Sequence, residues 1–351
     1  MSLTDLRLFG RTGLKVSPFT LGTMNFGARG NSSHEDSIRI IHRALDAGIN
    51  TVDTADVYSK GESEEIVGKA LKGLGSKNRR DDVILASKFH GNVDGNPLHQ
   101  GNSRWWITRA VEDSLRRLGT DHLDLYQVHR PEAQTDIDET VGALDDLVHQ
   151  GKIRYYGTSV FSPGELIEAQ WSAEKHKLER PVSEQVPYSL LIRGIERETL
   201  PIARSYGLGV LTYGPLAAGW LSGKYRLGAG QPESRRADLI PGRFDVDAPH
   251  NADKLRAADA LAVLAEESGL SLIHLALGFV LSHPDVSSAI IGPRTLEHLE
   301  SQLGAADVVL SSDILDKIDE IIPPGTVFTE RDTGIIRDAI ANPALRRTVT
   351  A

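Results

Sequence analysis

Four residues of unlike chemistry, Asp53, Tyr58, Lys88 and His129, stand at or just beyond the ends of three short apolar runs, Ile49–Asp53, Val83–Lys88 and Leu123–His129. An acid, a phenol, an ammonium and an imidazole gathered on one rim suit the reduction of a carbonyl. Hydride addition builds an alkoxide, which needs a proton or a positive field as it forms. A phenol can supply that proton, although its reference pKa of about 10 makes it a slow acid near neutrality. A neighbouring Lys ammonium favours phenolate and lowers that pKa, and a carboxylate such as Asp53 holds the Lys in place. A histidine beside the carbonyl oxygen either orients the substrate or assists proton transfer. No metal is required. Each residue alone also has a plainer reading: a structural ion pair for Asp53 or Lys88, a packed ring with a wet hydroxyl for Tyr58, a turn cap for His129 before Arg130-Pro131.

The elements that would position these residues recur along the chain. Short runs rich in Val, Ile, Leu and Tyr predict eight strands, Thr20–Met24, Ile49–Asp53, Val83–Lys88, Leu123–His129, Ile153–Gly157, Val182–Val186, Gly209–Tyr213 and Ser287–Ile291. They lack a clean period of two, as expected when helices cover one face and a packed interior the other. Helix-period stripes lie between them. Ile38, Ile41 and Leu45 follow Ser33 and Asp36 at capping-box spacing and stop at Gly48; Ile107, Val111, Leu115 and Leu118 stop at Gly119; Ile137, Val141, Leu144 and Val148 stop at Gly151. Further periodic stretches lie near 62–72, 164–177, 196–206, 254–268, 271–282 and 295–303.

Eight strand–helix units predict an α/β fold, a closed (β/α)8 TIM barrel, in one domain over 1–351 with its core at about 18–306. A hairpin of Leu6–Phe9 and Leu14–Ser17, turned through Arg11-Thr12-Gly13, would close the barrel floor. Long polar segments at 90–103 and 224–253 read as loops of the functional rim. Beyond Pro323 no strong pattern appears, and the tail 321–351 receives no role.

Composition narrows the function. The 351 residues carry 39 Lys and Arg against 48 Asp and Glu, a formal charge of −9, which argues against nucleic acid or an anionic membrane as partner. The absence of Cys excludes disulfides, thiolate zinc sites, iron–sulfur clusters and a Cys nucleophile. No apolar stretch reaches the roughly 18 residues of a transmembrane helix, and Met1–Gly10 lacks a secretory pattern, so the expected location is the cytoplasm. Gly207-Leu208-Gly209 is followed by Thr212 where a third glycine belongs, so the dinucleotide fingerprint fails; no P-loop pattern occurs either. Any nucleotide must be held by another device.

Nine motifs in order, spanning about residues 6–306, resemble the aldo-keto reductase superfamily. They are Leu21-Gly22-Thr23-Met24; the run from Asn50 through Asp53-Thr54-Ala55 to Tyr58; Gly61-Glu62-Ser63-Glu64; Ala86-Ser87-Lys88-Phe89; Asp124 through His129-Arg130-Pro131; Gly157-Thr158-Ser159; Glu184-Gln185-Val186-Pro187-Tyr188; Pro215-Leu216 with Ser222-Gly223-Lys224-Tyr225; and Ile291-Gly292 with Glu297-His298-Leu299. The long segment after Lys224 resembles the branch holding bacterial reductases and the β-subunits of voltage-gated potassium channels.

The resemblance implies an NADPH-dependent reductase of an aldehyde or ketone with Asp53, Tyr58, Lys88 and His129 as its tetrad. Tyr58 would be the general acid, tuned by Lys88 and Asp53, with His129 orienting the carbonyl. Thr23, Met24 and Asp53 would lie along the nicotinamide–pyrophosphate path, Ser159 and Gln185 on the carboxamide, and Tyr213 against the nicotinamide ring. The backbone of Gly214, Pro215, Leu216 and Ala217 would meet the pyrophosphate, with Lys224 and Arg235 closing over it. Gly292, Arg294 and His298 would surround the adenosine phosphate, with Gln302 towards adenine. The plainer reading of Lys224, Arg235 and Arg236 is a solvated loop, and of Arg294 an exposed helix start. Val160, Gly214, Ser301 and Gln302 depart from the family's usual Asn, Ser, Glu and Asn; Arg294 still favours NADPH over NADH.

The expected pocket walls are Met24, Asn25, Phe26, the 90–103 loop, Trp105, Trp106 and Trp220, which suit sugars, ketosugars and aromatic carbonyls alike. A small-molecule carbonyl is the expected partner, and self-association stays open. A second reading, from the channel-subunit side of the resemblance, is an NADPH-binding redox sensor with slow turnover; His129, where channel subunits carry an amide, favours catalysis.

Overall fold

The computed structural model describes residues 2–74 and 80–343. A two-stranded hairpin, β1 (Arg7–Leu8) with β2 (Lys15–Val16), precedes eight parallel strands: β3 (Phe19–Gly22), β4 (Thr51–Asp53), β5 (Ile84–Phe89), β6 (Leu123–Val128), β7 (Ile153–Ser159), β8 (Ser183–Pro187), β9 (Gly209–Tyr213) and β10 (Val286–Ile291). The strands pair in sequence order and close between β10 and β3, the predicted (β/α)8 barrel. Each strand falls within two residues of its predicted bounds. β3 stops at Gly22 rather than Met24, because Thr23 starts a turn in which Phe26 N–H donates to its carbonyl at 2.9 Å.

The helices stand where the apolar stripes put them, at His34–Asp46, Glu62–Lys72, Arg104–Leu118, Ile137–His149, Pro163–His176, Thr199–Tyr206, Ala252–Glu267, Leu272–Ser282 and Leu296–Leu303. Ser33 caps its helix by accepting from Asp36 N–H, and the complete reciprocal box belongs instead to Ser162 with Glu165. Buried apolar residues form a shell between the strands and these helices. A second, smaller cluster fills the lumen: Phe9 and Val16 from the hairpin meet Ile84, Ala86, Leu125, Val182, Leu211 and Ile290. The hairpin thus closes the floor as expected. Arg7 fixes it by donating to the carbonyls of Val286 and Leu281, both at 3.0 Å.

Two regions differ from expectation. A helix at Ser312–Ile321, unmarked in the sequence, packs its buried Ile318 onto the shell. The tail, whose sequence assigns it no role, is held at the C-terminal ends of the barrel strands. Val327 pairs with Ile192, a turn spans Glu330–Thr333, and Arg337 donates to the Val160 carbonyl at 2.7 Å and pairs with Glu165 at 2.9 Å. No single helix among the described residues is long and apolar enough to cross a membrane.

Candidate active site

The C-terminal ends of β4, β5 and β6 bring the predicted tetrad together. Side chains at alternate positions of a barrel strand point into the lumen; Lys88 is in register with Gln127, and Asp53, in register with Ala86, meets both through its side chain. Lys88, fully buried, donates through Nζ to Asp53 Oδ1 at 2.5 Å, to the Thr54 carbonyl at 2.7 Å and to Tyr58 Oη at 3.4 Å. Asp53 Oδ2 accepts from Gln127 Nε2 at 3.2 Å and Gln185 Nε2 at 3.0 Å, so both its oxygens are engaged. His129 follows β6, its ring edge-on to Tyr58 with centroids 5.8 Å apart.

Tyr58 reaches the site on a strained turn. Ser59 and Lys60, at φ of 48° and 57°, occupy the left-handed region that disfavours side chains. The turn is held by Ser59 Oγ donating to the Phe26 carbonyl at 2.8 Å. Gly61 completes it, because a side chain there would run into Arg117. Upstream, the backbone is hung on β5, with Thr54 N–H on Ala86 O at 2.9 Å and Asp56 N–H on Lys88 O at 3.1 Å.

The electrostatics refine the sequence expectation for Tyr58. Burial raises its pKa, Lys88 opposes that and Asp53 adds to it, and the net displacement is upward rather than downward. The phenol therefore keeps its proton through the neutral range. Burial lowers the Lys88 pKa, but Asp53 first and then Tyr58 outweigh it, so the net displacement is upward and the ammonium stays charged. Burial, reinforced by Lys88, Arg130 and His90, drives the His129 pKa well below its ordinary value. His129 is a neutral imidazole at pH 7, a hydrogen-bonding group rather than a proton reservoir.

The model of the aldo/keto reductase family matches residues 18–323. The chain belongs to the aldo/keto reductase family. It is 40% identical over 326 residues to the uncharacterized oxidoreductase YrpG of Bacillus subtilis (strain 168), covering 90% of this chain and 95% of that relative. It is 36% identical over 321 residues to a probable voltage-gated potassium channel subunit beta of Arabidopsis thaliana, covering 89% and 95%. Aldo-keto reductase YhdN of Bacillus subtilis (strain 168) is 36% identical over 314 residues, covering 89% and 91%. Membership carries oxidoreductase chemistry on carbonyls with a nicotinamide cofactor as the general activity of this family.

Most of the residues expected to hold that cofactor stand near or just beyond the ends of β7, β8, β9 and β10 and, across the closure of the barrel, of β3 and β4. Ser159 and Gln185 are paired in register across β7 and β8, with Ser159 Oγ donating to the Gln185 carbonyl at 2.9 Å. Gln185 thus bridges the cofactor side and Asp53. Tyr213 ends β9, half-buried. Thr23 is buried and bonded to the Asp53 backbone, and Met24 is exposed. Gly214, Ala217 and Ala218 take positive φ in the turn of 214–219, which is open above Gly214; Ala217 N–H is spent on the Gly214 carbonyl at 2.8 Å. Gly292 offers its carbonyl to Asn25 at 2.7 Å, and Gln302 donates to the His298 carbonyl at 2.8 Å within its own helix. Arg235 opens a short helix, Arg235–Leu239, but its side chain lies outside the described residues.

Beyond these, Lys224, Arg236, Arg294 and His298 converge. Burial lowers the Lys224 pKa and Arg236 and Arg294 lower it further; burial lowers that of His298, helped by Arg294. None of Lys224, Arg236 and Arg294 has a carboxylate in ion-pair reach among the described residues, and Lys224 donates only to the Glu233 carbonyl, at 3.3 Å. Uncompensated cations beside an open turn fit a polyphosphate.

Several functional neighbours escaped the sequence reading. Gln127 and Arg130 lay inside a quoted motif without a role. Asp56 is buried beside the site, and burial with the nearby Glu64 pushes its pKa well up. His90 takes φ 127° at the end of β5, its Nδ1 3.0 Å from Asn102 Oδ1. Of the expected pocket walls, Phe26, Trp106 and Trp220 are buried. Trp106 stacks under His99, and Trp220 stacks on Tyr225 within the 224–253 segment. Met24 and Trp105 remain exposed, at 41% and 55%.

Proposed function

We propose that this chain reduces an aldehyde or ketone to its alcohol with NADPH, Tyr58 Oη giving the proton to the carbonyl oxygen. The observation that carries the reading is Lys88 Nζ, which touches Asp53 and Tyr58 at the top of the lumen with neutral His129 beside them. The bound nicotinamide would supply the hydride. Tyr58, protonated near pH 7, holds the proton to be given; Lys88 stabilises the phenolate left behind; Asp53, Gln127 and Gln185 fix Lys88. His129 donates an N–H to the same carbonyl oxygen and orients it. Lys224, Arg236 and Arg294 would hold phosphates, and their lack of carboxylate partners supports NADPH over NADH.

The test is turnover of reduced cofactor by the purified protein against aromatic aldehydes, ketosugars and short aldehydes, with NADPH and NADH in parallel. Turnover that is faster with NADPH is the expected result. Arg294→Ala should weaken NADPH by roughly 1–3 kcal/mol and NADH by less, read by calorimetry. Tight NADPH binding without turnover of any carbonyl would replace the reductase by the redox-sensor reading.

A further inference from the structure

We propose that Arg130 selects carbonyl substrates bearing an anionic group, a carboxylate or a phosphate. The inference rests on the reductase reading and names its substrate class. Arg130 directly follows His129 and is half-buried beside the tetrad. Its Nη1 donates to the Gly334 carbonyl at 2.7 Å, and its charge reaches the Tyr213 hydroxyl, whose pKa it lowers against burial. That acceptor carbonyl is neutral. No carboxylate lies within ion-pair reach of it among the described residues.

The charges around it explain why this matters. Beyond burial, Lys88, Arg130 and His90 all act on His129 and lower its pKa, so the reacting position lies in a positive field. Of the nearby acids, Asp53 is tied to Lys88. Glu132 is engaged by Asn102 N–H at 2.7 Å and by Thr135. Glu184, buried, is pushed up to about 8 and is a neutral acid near pH 7. Taking a guanidinium partly out of water against a neutral acceptor is unfavourable unless a negative charge arrives.

The cofactor's phosphates have their own cations in Lys224, Arg236 and Arg294. Arg130 instead directly follows the tetrad's His129 and is anchored to Gly334 of the tail, so it stands on the carbonyl's side of the site, where its field also reaches Tyr58. Of the five N–H donors of a guanidinium, the one bond to Gly334 leaves enough for a bidentate anion. The tail supplies the opposite wall. Gly334, at φ 93°, packs so closely on the Tyr213 hydroxyl that any side chain there would collide with it. A substrate would therefore lie with its carbonyl at Tyr58 and His129 and its anion under the tail at Arg130.

The experiment compares 2-, 3- and 4-carboxybenzaldehyde with their methyl esters, using native protein, Arg130→Gln and Arg130→Lys. Native protein should prefer at least one acid over its ester, mainly through KM. Arg130→Gln should lose roughly 10- to 100-fold in kcat/KM on that acid and far less on the ester, and Arg130→Lys should recover part of it. Equal losses on acid and ester, or no preference for any acid in native protein, would overturn the proposal and leave Arg130 as an anchor of the tail. Failure of the reductase reading is distinguishable: native protein would then turn over neither acids nor esters. Calorimetric binding of the carboxylate-bearing benzyl alcohols to native protein and Arg130→Gln would still decide on Arg130.

Discussion

The floor and the top of the barrel lumen are made by the same strands, a single pleat repeat apart. On β5, Ile84 and Ala86 join the apolar plug above Phe9, and the next inward position is Lys88. On β6, Leu125 gives way to Gln127; on β9, Leu211 gives way to Tyr213. Below, contacts are apolar and interchangeable in kind, so their value is packing and exclusion of water. Above, a buried ammonium and carboxylate survive only because each polar atom finds a partner. The lower layer makes the upper one affordable: a dry, rigid base holds Lys88 within reach of both Asp53 and Tyr58.

Substitutions should separate the two layers. The largest effect is expected from Lys88→Met. It should lose about 10²–10⁴-fold in carbonyl reduction and roughly 3–5 kcal/mol of stability, because Asp53 is left buried without its counter-ion. The double variant Asp53→Asn with Lys88→Met should regain most of that stability by thermal unfolding and none of the activity. Regained activity would mean that the pair is structural. At the floor, Phe9→Ala should cost about 3–5 kcal/mol while kcat, measured well below the unfolding transition, stays near native; a large fall in kcat would show that the layers are not separable.

A smaller effect comes from Glu184, beside the upper layer. Its pKa is raised by burial to about 8, above the ordinary carboxylate value, so the folded protein holds a proton that the unfolded chain releases. Native stability should therefore fall as pH rises from about 4.5 to about 8 and level off above that. Glu184→Gln should gain in unfolding temperature relative to native protein across that window. A difference independent of pH would remove Glu184 as its cause.

The upper layer was more legible in sequence than the details around it. Asp53, Lys88 and His129 were readable because a barrel delivers chemistry at strand ends, and the ends of β4, β5 and β6 follow from where apolar runs stop. The helices followed from stripes that end in Gly48, Gly119 and Gly151, each at positive φ. Burial is a tertiary property, and it governs what was missed. It raises the Tyr58 pKa against the pull of Lys88. It also turns Trp220 from a pocket wall into a packed ring under Lys254, whose Nζ lies 5.2 Å above it. The tail carries no periodicity because its hold is made of single contacts. Asp332 takes Lys254 and Arg243 as partners, Gly334 takes Arg130, and Arg337 takes Glu165. Such a set of partners leaves no pattern in the tail's own residues.

The most direct measurement is a single-turnover reduction by Tyr58→Phe, preloaded with NADPH, beside the native protein. The ring and its packing stay while Oη, the atom that Lys88 touches, is gone. Unchanged NADPH affinity with a rate about 10²–10⁴-fold lower is the expected result. A full native rate in Tyr58→Phe would contradict the assignment of the proton to Tyr58 and, with it, the reading of the upper layer as the catalytic one.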